Sequence, residues 1–199
     1  MASAPRPMPV AYRNKGAVMP VQASDSILLI VDMQEKLLPA MADGERALAR
    51  AVRLAQAARL LDVPVVATEQ QPEKIGPTVE PLRDSIQRVM PKTYFSATRQ
   101  PGFDGWLPAA RKTVLVAGVE AHVCVLQTIM GLADKGFRVA MVTDACASRS
   151  PADHHAALRR ARAHGADILT VEMAMFEWLD HCEHPRFRQV LQLVKQNTP

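Results

Sequence analysis

Cysteine is scarce in this chain. Three thiols, Cys124, Cys146 and Cys182, are spread through 199 residues. Their odd number and wide spacing argue against a disulfide framework or the close pairs of a structural zinc site, and a reducing cytoplasm is the expected setting. Long hydrophobic runs are also missing. No apolar stretch reaches the ~18 residues of a membrane span, and the N-terminus has no apolar core of signal-peptide type. Charge of one sign is never gathered: Lys+Arg 24 stand against Asp+Glu 20, with the arginines scattered. A basic stripe interleaved with aromatics is lacking, so neither nucleic acid nor membrane is an expected partner. No G-x-G-x-x-G follows the first apolar run, which argues against a dinucleotide cofactor. There is no internal repeat and no low-complexity segment.

What is present is the material of one folded domain. Hydrophobic residues make up 48% of the chain and charged residues 22%, enough to bury a full core. Residues 1–24 carry Pro5, Pro7, Pro9 and Pro20 without periodicity. They are expected as an extended N-terminal arm, either laid on a neighbouring subunit or disordered. Residues 25–199 form the domain. Short apolar, β-branched-rich runs at 27–31, 63–67, 89–90, 113–117, 139–142 and 168–171 suit strands covered on both faces. Between them Leu48, Ala51, Val52, Ala55, Ala58 and Leu61 recur at helical steps, with Asp43 as the expected N-cap. Val125, Ile129, Leu132 and Ala133 form a second helical stripe, and residues 152–164 a third helix closed by Gly165. This alternation predicts an α/β fold with three α/β/α layers and a parallel sheet in the order 3-2-1-4-5-6.

In such sheets ligands bind outside the carboxyl ends of the strands. Asp32 directly follows the first run, Lys92 the third, and Cys124 stands where the fourth run turns into a helix. An acid, an amine and a thiol at three strand ends point to one site. A carboxylate can take the proton of a thiol and an ammonium can hold the thiolate, so the Cys124 pKa is expected to fall from ~8.5 toward ~3.5–7.5. Backbone N–H groups of the turn before the helix would hold the oxyanion formed when Cys124 attacks a carbonyl. Hydrolysis through a thioester-type adduct is the expected chemistry.

Around this centre Gln34, Tyr94 and Phe95 are candidate pocket walls. His122 has two open roles, orienting substrate or lying at a subunit contact. Glu69 also has two, pointing at the site from the end of strand 2 or pairing with a nearby Arg. His181-Cys182-Glu183-His184 is read as a solvated loop rather than a metal cluster. Cys146 is expected to pack near the edge of the sheet, and Asp144 and Arg149 to form a structural pair in a loop after strand 5.

Val-Asp-Met-Gln at 31–34, Pro-Lys-Thr-Tyr-Phe-Ser at 91–96 and Gly-Val-Glu-Ala-His-Val-Cys-Val at 118–125 resemble the isochorismatase-like cysteine hydrolases. Thr68-Glu69-Gln70, Thr143-Asp144-Ala145 and Gly165-Ala166 extend the likeness over roughly residues 24–185. The family is similar to the nicotinamidases and N-carbamoylsarcosine amidases, and the resemblance implies a six-stranded parallel sheet with Asp32, Lys92 and Cys124 as a triad. It also implies a cis peptide between Val119 and Glu120, with the N–H groups of Glu120 and Cys124 as the oxyanion hole. Metal-binding nicotinamidases place Asp-x-His after strand 2; here that stretch reads Thr68-Glu69-Gln70-Gln71-Pro72-Glu73, so no metal and no other cofactor is expected. The chain resembles the isochorismatase domain-containing branch most. The expectation is therefore a cytoplasmic, homo-oligomeric cysteine hydrolase of a small molecule, acting on an amide-like C–N bond. Ester or other carbonyl hydrolysis at the same site, or a non-catalytic binding or assembly role, stands as the alternative.

Overall fold

A computed structural model of the chain describes residues 19–196. Its centre is β1, Ser26–Val31, whose six residues are all buried. Around it lie β2 (Val65–Gln70), β3 (Arg88–Lys92), β4 (Thr113–Val119), β5 (Arg138–Ala147) and β6 (Asp167–Leu169). Every neighbouring pair is parallel, in the order β3-β2-β1-β4-β5-β6. The expected order 3-2-1-4-5-6 is the observed one.

Strand periodicity divides the core in two. Leu28, Ile30, Val65, Ala67, Leu115 and Ala117 pack beneath α1 (Gly44–Leu60) and α6 (Val171–Leu179), with α7 (Phe187–Lys195) beside them. Their alternates Ile27, Leu29, Val31, Val66, Val114 and Val116 pack against α4 (Leu126–Asp134) and α5 (Pro151–Ala163). Neighbours in sequence face opposite layers because successive strand side chains point to opposite faces. Each fully buried aliphatic side chain contributes about 1.5–3 kcal/mol, and the result is the three-layer α/β/α sandwich. Two short helices, α2 (Pro72–Ile75) and α3 (Glu80–Arg83), lie in the β2–β3 connection.

Several boundaries differ from the sequence reading. β2 starts after Pro64 and runs on through Glu69 and Gln70, because their backbones pair with Pro91 and Lys92 of β3. Pro91 is tolerated there because β3 is an edge strand. β6 stops at Leu169, since the Thr170 hydroxyl accepts from Met173 N–H and caps α6, putting Val171 in the helix. β5 continues to Ala147, so Asp144 and Cys146 lie within a strand rather than in a loop. Cys146 is buried opposite Gly118 of β4, beyond the end of the short edge strand β6, so it packs near the edge of the sheet as expected. Asp43 occupies the N-cap position of α1, yet it has φ 56° and its side chain makes no capping bond. α5 begins with Pro151 after Ser150, whose hydroxyl accepts from Asp153 N–H.

Most of the expected 1–24 arm lies outside the described residues. Residues 19–24 dock on the domain itself: Val21 is fully buried, its N–H donates to Glu177 Oε2 at 2.7 Å, and Arg138 donates to the carbonyls of Met19 and Pro20. No helix among the described residues is long and apolar enough to cross a membrane.

Candidate active site

Asp32 leaves the end of β1 in the left-handed region at φ 51°, and its N–H donates to Thr68 O at 3.1 Å. The carboxylate is held at both oxygens. Thr68 Oγ1 donates to Oδ1 and Lys92 Nζ to Oδ2, each at 2.7 Å. Lys92 is the last residue of β3 and reaches across β2 to meet it. Its ammonium also donates to Gln70 Oε1 at 2.7 Å and to the carbonyls of Tyr94 and Phe95 at 3.2 and 3.3 Å.

Cys124 lies in a π-type turn, Ala121–Val125, between β4 and α4. Its thiol lies beside the Asp32 carboxylate and the Lys92 ammonium, and both act on its proton. Asp32, Lys92 and Cys124 are 0, 2 and 5% exposed, so the three reactive groups meet almost sealed from bulk water. Close approach of β4 to β1 makes this possible. Gly118 pairs with Val31 at φ 134°, and a Cβ there would collide with the Val31 backbone.

The thiol does not show the lowered pKa expected from sequence. Burial, followed by the charge of Asp32, pushes it up to about 12, and the opposing effect of Lys92 is smaller. The physical reason is desolvation: an anionic sulfur loses its water and faces an existing carboxylate. Cys124 therefore rests as a neutral thiol beside the Asp32 carboxylate.

The turn carrying Cys124 is braced from outside. The Val119–Glu120 peptide is cis, and the Glu120 carboxylate accepts from Arg149 Nε at 2.9 Å and NH2 at 3.2 Å. The expected Asp144–Arg149 pair is thereby replaced. Asp144, within β5, instead faces Arg50 at 3.8 Å and accepts from Val171 N–H at 2.8 Å. Strand alternation turns it toward α1 and α6, away from the loop that holds Arg149. His122 Nδ1 lies 3.0 Å from Ser148 Oγ.

Gln34, expected as a pocket wall, and Glu69, expected to face the site or pair with an Arg, are both tied to neighbouring chain. Gln34 is fully buried, and its amide is spent on Gln70 O, Gly76 O and Gln70 N–H. Glu69 Oε1 accepts from Thr78 N–H and Oγ1, each at 2.7 Å, rather than from an Arg. Both polar groups are consumed in pinning the β2–β3 connection. Tyr94 and Phe95 keep side chains 43 and 54% exposed, with the Arg99 guanidinium 5.2 Å from the Tyr94 ring centre. Thr68 and Gln70 were not singled out from sequence. Their signal is two polar residues at i, i+2 on the end of an otherwise apolar strand, which places both on one face.

Residues 26–173 match the isochorismatase domain family. The chain belongs to that family. Isochorismatase domain-containing protein 2A of Mus musculus and protein 2 of Homo sapiens are each 37% identical over 194 residues, covering 96% of this chain and 92% of theirs. Among solved structures, the MAR1 ribonuclease from Caenorhabditis elegans superposes with a TM-score of 0.85 at 33% identity, covering 91% of this chain and 95% of that one.

In this isochorismatase-family chain, Gln70 ends β2 in the stretch that carries no histidine. It donates to Thr93 O through Nε2 at 3.0 Å and accepts from Lys92. Among the described residues no three His, Cys, Asp or Glu side chains come together as a metal site. A cleft of about 360 Å³ opens at the end of β5, lined by Arg46, Asp144, Ser148 and His154, and it includes none of Asp32, Lys92 and Cys124.

Proposed function

We propose that this protein is a cysteine-dependent hydrolase of a small carbonyl compound, an amide-like C–N bond being the preferred target. The reading rests on one observation: a buried carboxylate–ammonium ion pair with a buried thiol beside it. Asp32, Lys92 and Cys124 act as the triad. Cys124 Sγ attacks the carbonyl carbon while Asp32 takes the thiol proton, so no free thiolate accumulates. The carbonyl oxygen gains the electron pair, and the N–H groups of Glu120 and Cys124 hold it as an oxyanion. Collapse breaks the C–N bond, and the leaving amine takes the proton from Asp32. Water then adds to the thioester carbonyl while Asp32 accepts its proton. The second collapse frees the carboxylic acid and returns the proton to Cys124.

Lys92 stays charged and fixes Asp32. Tyr94, Phe95 and His122 border the approach, while Gln34 and Glu69 support the loop behind it. The same steps cleave an ester, with an alcohol leaving in place of the amine. A nucleophile 5% exposed favours a small substrate over a polymer such as RNA, the substrate class named for the C. elegans relative. A homo-oligomer in the cytoplasm is part of the same proposal, and light scattering of the purified chain reads its subunit number.

The test is a covalent trap. With p-nitrophenyl acetate, intact-mass spectrometry should reveal one acetyl adduct, mapped to the Cys124 peptide. Cys124→Ala should abolish both adduct and turnover, and Asp32→Asn should nearly match it. Adduct formation unchanged in Cys124→Ala would overturn the reading.

A further inference from the structure

An ammonium has three N–H bonds, yet four oxygens surround Lys92 Nζ. Asp32 Oδ2 and Gln70 Oε1 are the short contacts at 2.7 Å, and the carbonyls of Tyr94 and Phe95 are longer at 3.2 and 3.3 Å. Gln70 is thus the nearest neutral acceptor. Its orientation is settled by its partners. Turning the amide over would set its NH2 against the ammonium and its oxygen against the Thr93 carbonyl, losing both bonds.

Gln70 is itself held at the main chain. Gln34 accepts from its N–H at 2.7 Å and donates to its carbonyl at 3.1 Å, and β2–β3 pairing sets it opposite Lys92. At 6% exposure it leaves little access for a replacing water. A continuous chain of contacts therefore runs from Gln34 through Gln70 and Lys92 to Asp32, whose other oxygen is held by Thr68.

The consequence appears during the reaction just proposed, on which this inference rests. When Asp32 accepts the Cys124 proton it becomes neutral, and the Lys92–Asp32 ion pair loses its anionic half. A buried ammonium facing weaker acceptors would move or shed its proton unless another group holds it. We propose that Gln70 is a positioning residue, its carboxamide oxygen fixing the Lys92 ammonium beside Asp32 and Cys124 while Asp32 is neutral. Gln70 acts through Lys92 and does not touch substrate.

Two readouts on the full chain test this. One is the water-exchange rate of the Lys92 ammonium in 1H–15N correlation spectra, assigned by its disappearance in Lys92→Met. The other is the kcat and KM for p-nitrophenyl acetate. Gln70→Met and Gln70→Asn both remove the oxygen from reach of Nζ, and the Asn variant keeps a polar amide should the Met variant fail to fold. Each should exchange about tenfold faster, as for one lost hydrogen bond to a charged group. Each should lose about 10–100-fold in kcat with KM within about twofold. Gln70→Glu keeps an oxygen facing Nζ while replacing the donor to Thr93 with a second carboxylate oxygen and adding a negative charge, so it should retain slow ammonium exchange, whatever its kcat. Wild-type exchange and kcat in Gln70→Met and Gln70→Asn, with Cys124→Ala inactive, would overturn the role of Gln70 alone. Ammonium exchange as fast in Gln70→Glu as in Gln70→Met would also overturn it, because an acceptor at that position would then not be what holds Lys92. An active Cys124→Ala would instead strike the hydrolase reading, and this inference with it.

Discussion

Lys92 Nζ and Asp32 Oδ2 form a 2.7 Å ion pair in which both side chains are wholly buried. Burying two charges is costly, and their mutual attraction with hydrogen bonds to Thr68, Gln70 and two carbonyls offsets that cost. Removing one partner strands the other in a site without water. Lys92→Met or Asp32→Asn alone should therefore destabilise the fold by about 3–5 kcal/mol, as measured by urea denaturation. The double variant should recover much of that loss. Additive losses would show that the two groups are energetically independent.

The buried thiols should contribute to a loss of stability at alkaline pH. Cys124 and Cys146 are both pushed from 9.0 up to about 12, chiefly by burial. The unfolded chain loses these protons above about pH 9, while the folded chain keeps them until about pH 12. Because the folded state then binds more protons, its stability must fall as pH rises through that window. The slope should be roughly 1 kcal/mol per pH unit for each thiol, and below about pH 9 neither should contribute a slope. Cys146→Ala should flatten the alkaline limb of a denaturation series. An equal slope in the variant would contradict the burial argument.

Metal should be dispensable. The end of β2 carries Gln70, committed to Lys92 and Thr93, and the proposed mechanism assigns carbonyl polarisation to backbone donors, one of which is typically worth about 10²–10³ in rate. Turnover of p-nitrophenyl acetate should survive exhaustive chelation unchanged. Activity lost to chelator and restored by zinc would direct attention to His122 and residues 181–184.

Gly118→Ala should be among the most damaging single changes. The added methyl would meet the backbone of Val31, next to Asp32, and the residue would sit at φ 134°. We expect a loss above about 4 kcal/mol or failure to fold. A soluble, cooperatively melting variant with wild-type Cys124 acylation would show that β4 can retreat from β1 without harm.

The sequence by itself determined the architecture and the meeting of three side chains. Six short apolar runs separated by helical stripes leave few ways to cover a sheet, because parallel crossovers are right-handed and strands buried on both faces need helices on both sides. Asp32, Lys92 and Cys124 were legible because their chemistry is unusual at the ends of apolar runs. That placement is local, and a strand carries its last residue to the same edge wherever the strand lies.

Tertiary structure decided what those side chains touch. Thr68 and Gln70 hold groups 36 and 22 residues away along the chain, and such bonds depend on register rather than on neighbouring sequence. Arg149 pairs with Glu120 rather than Asp144 because β5 runs on five residues past its apolar run. The Cys124 thiol is raised rather than lowered because its proton affinity sums burial and two opposite charges, and the relative size of those effects exists only once the chain has closed around them. Residue types named the participants, and distances and desolvation fixed the state in which they wait.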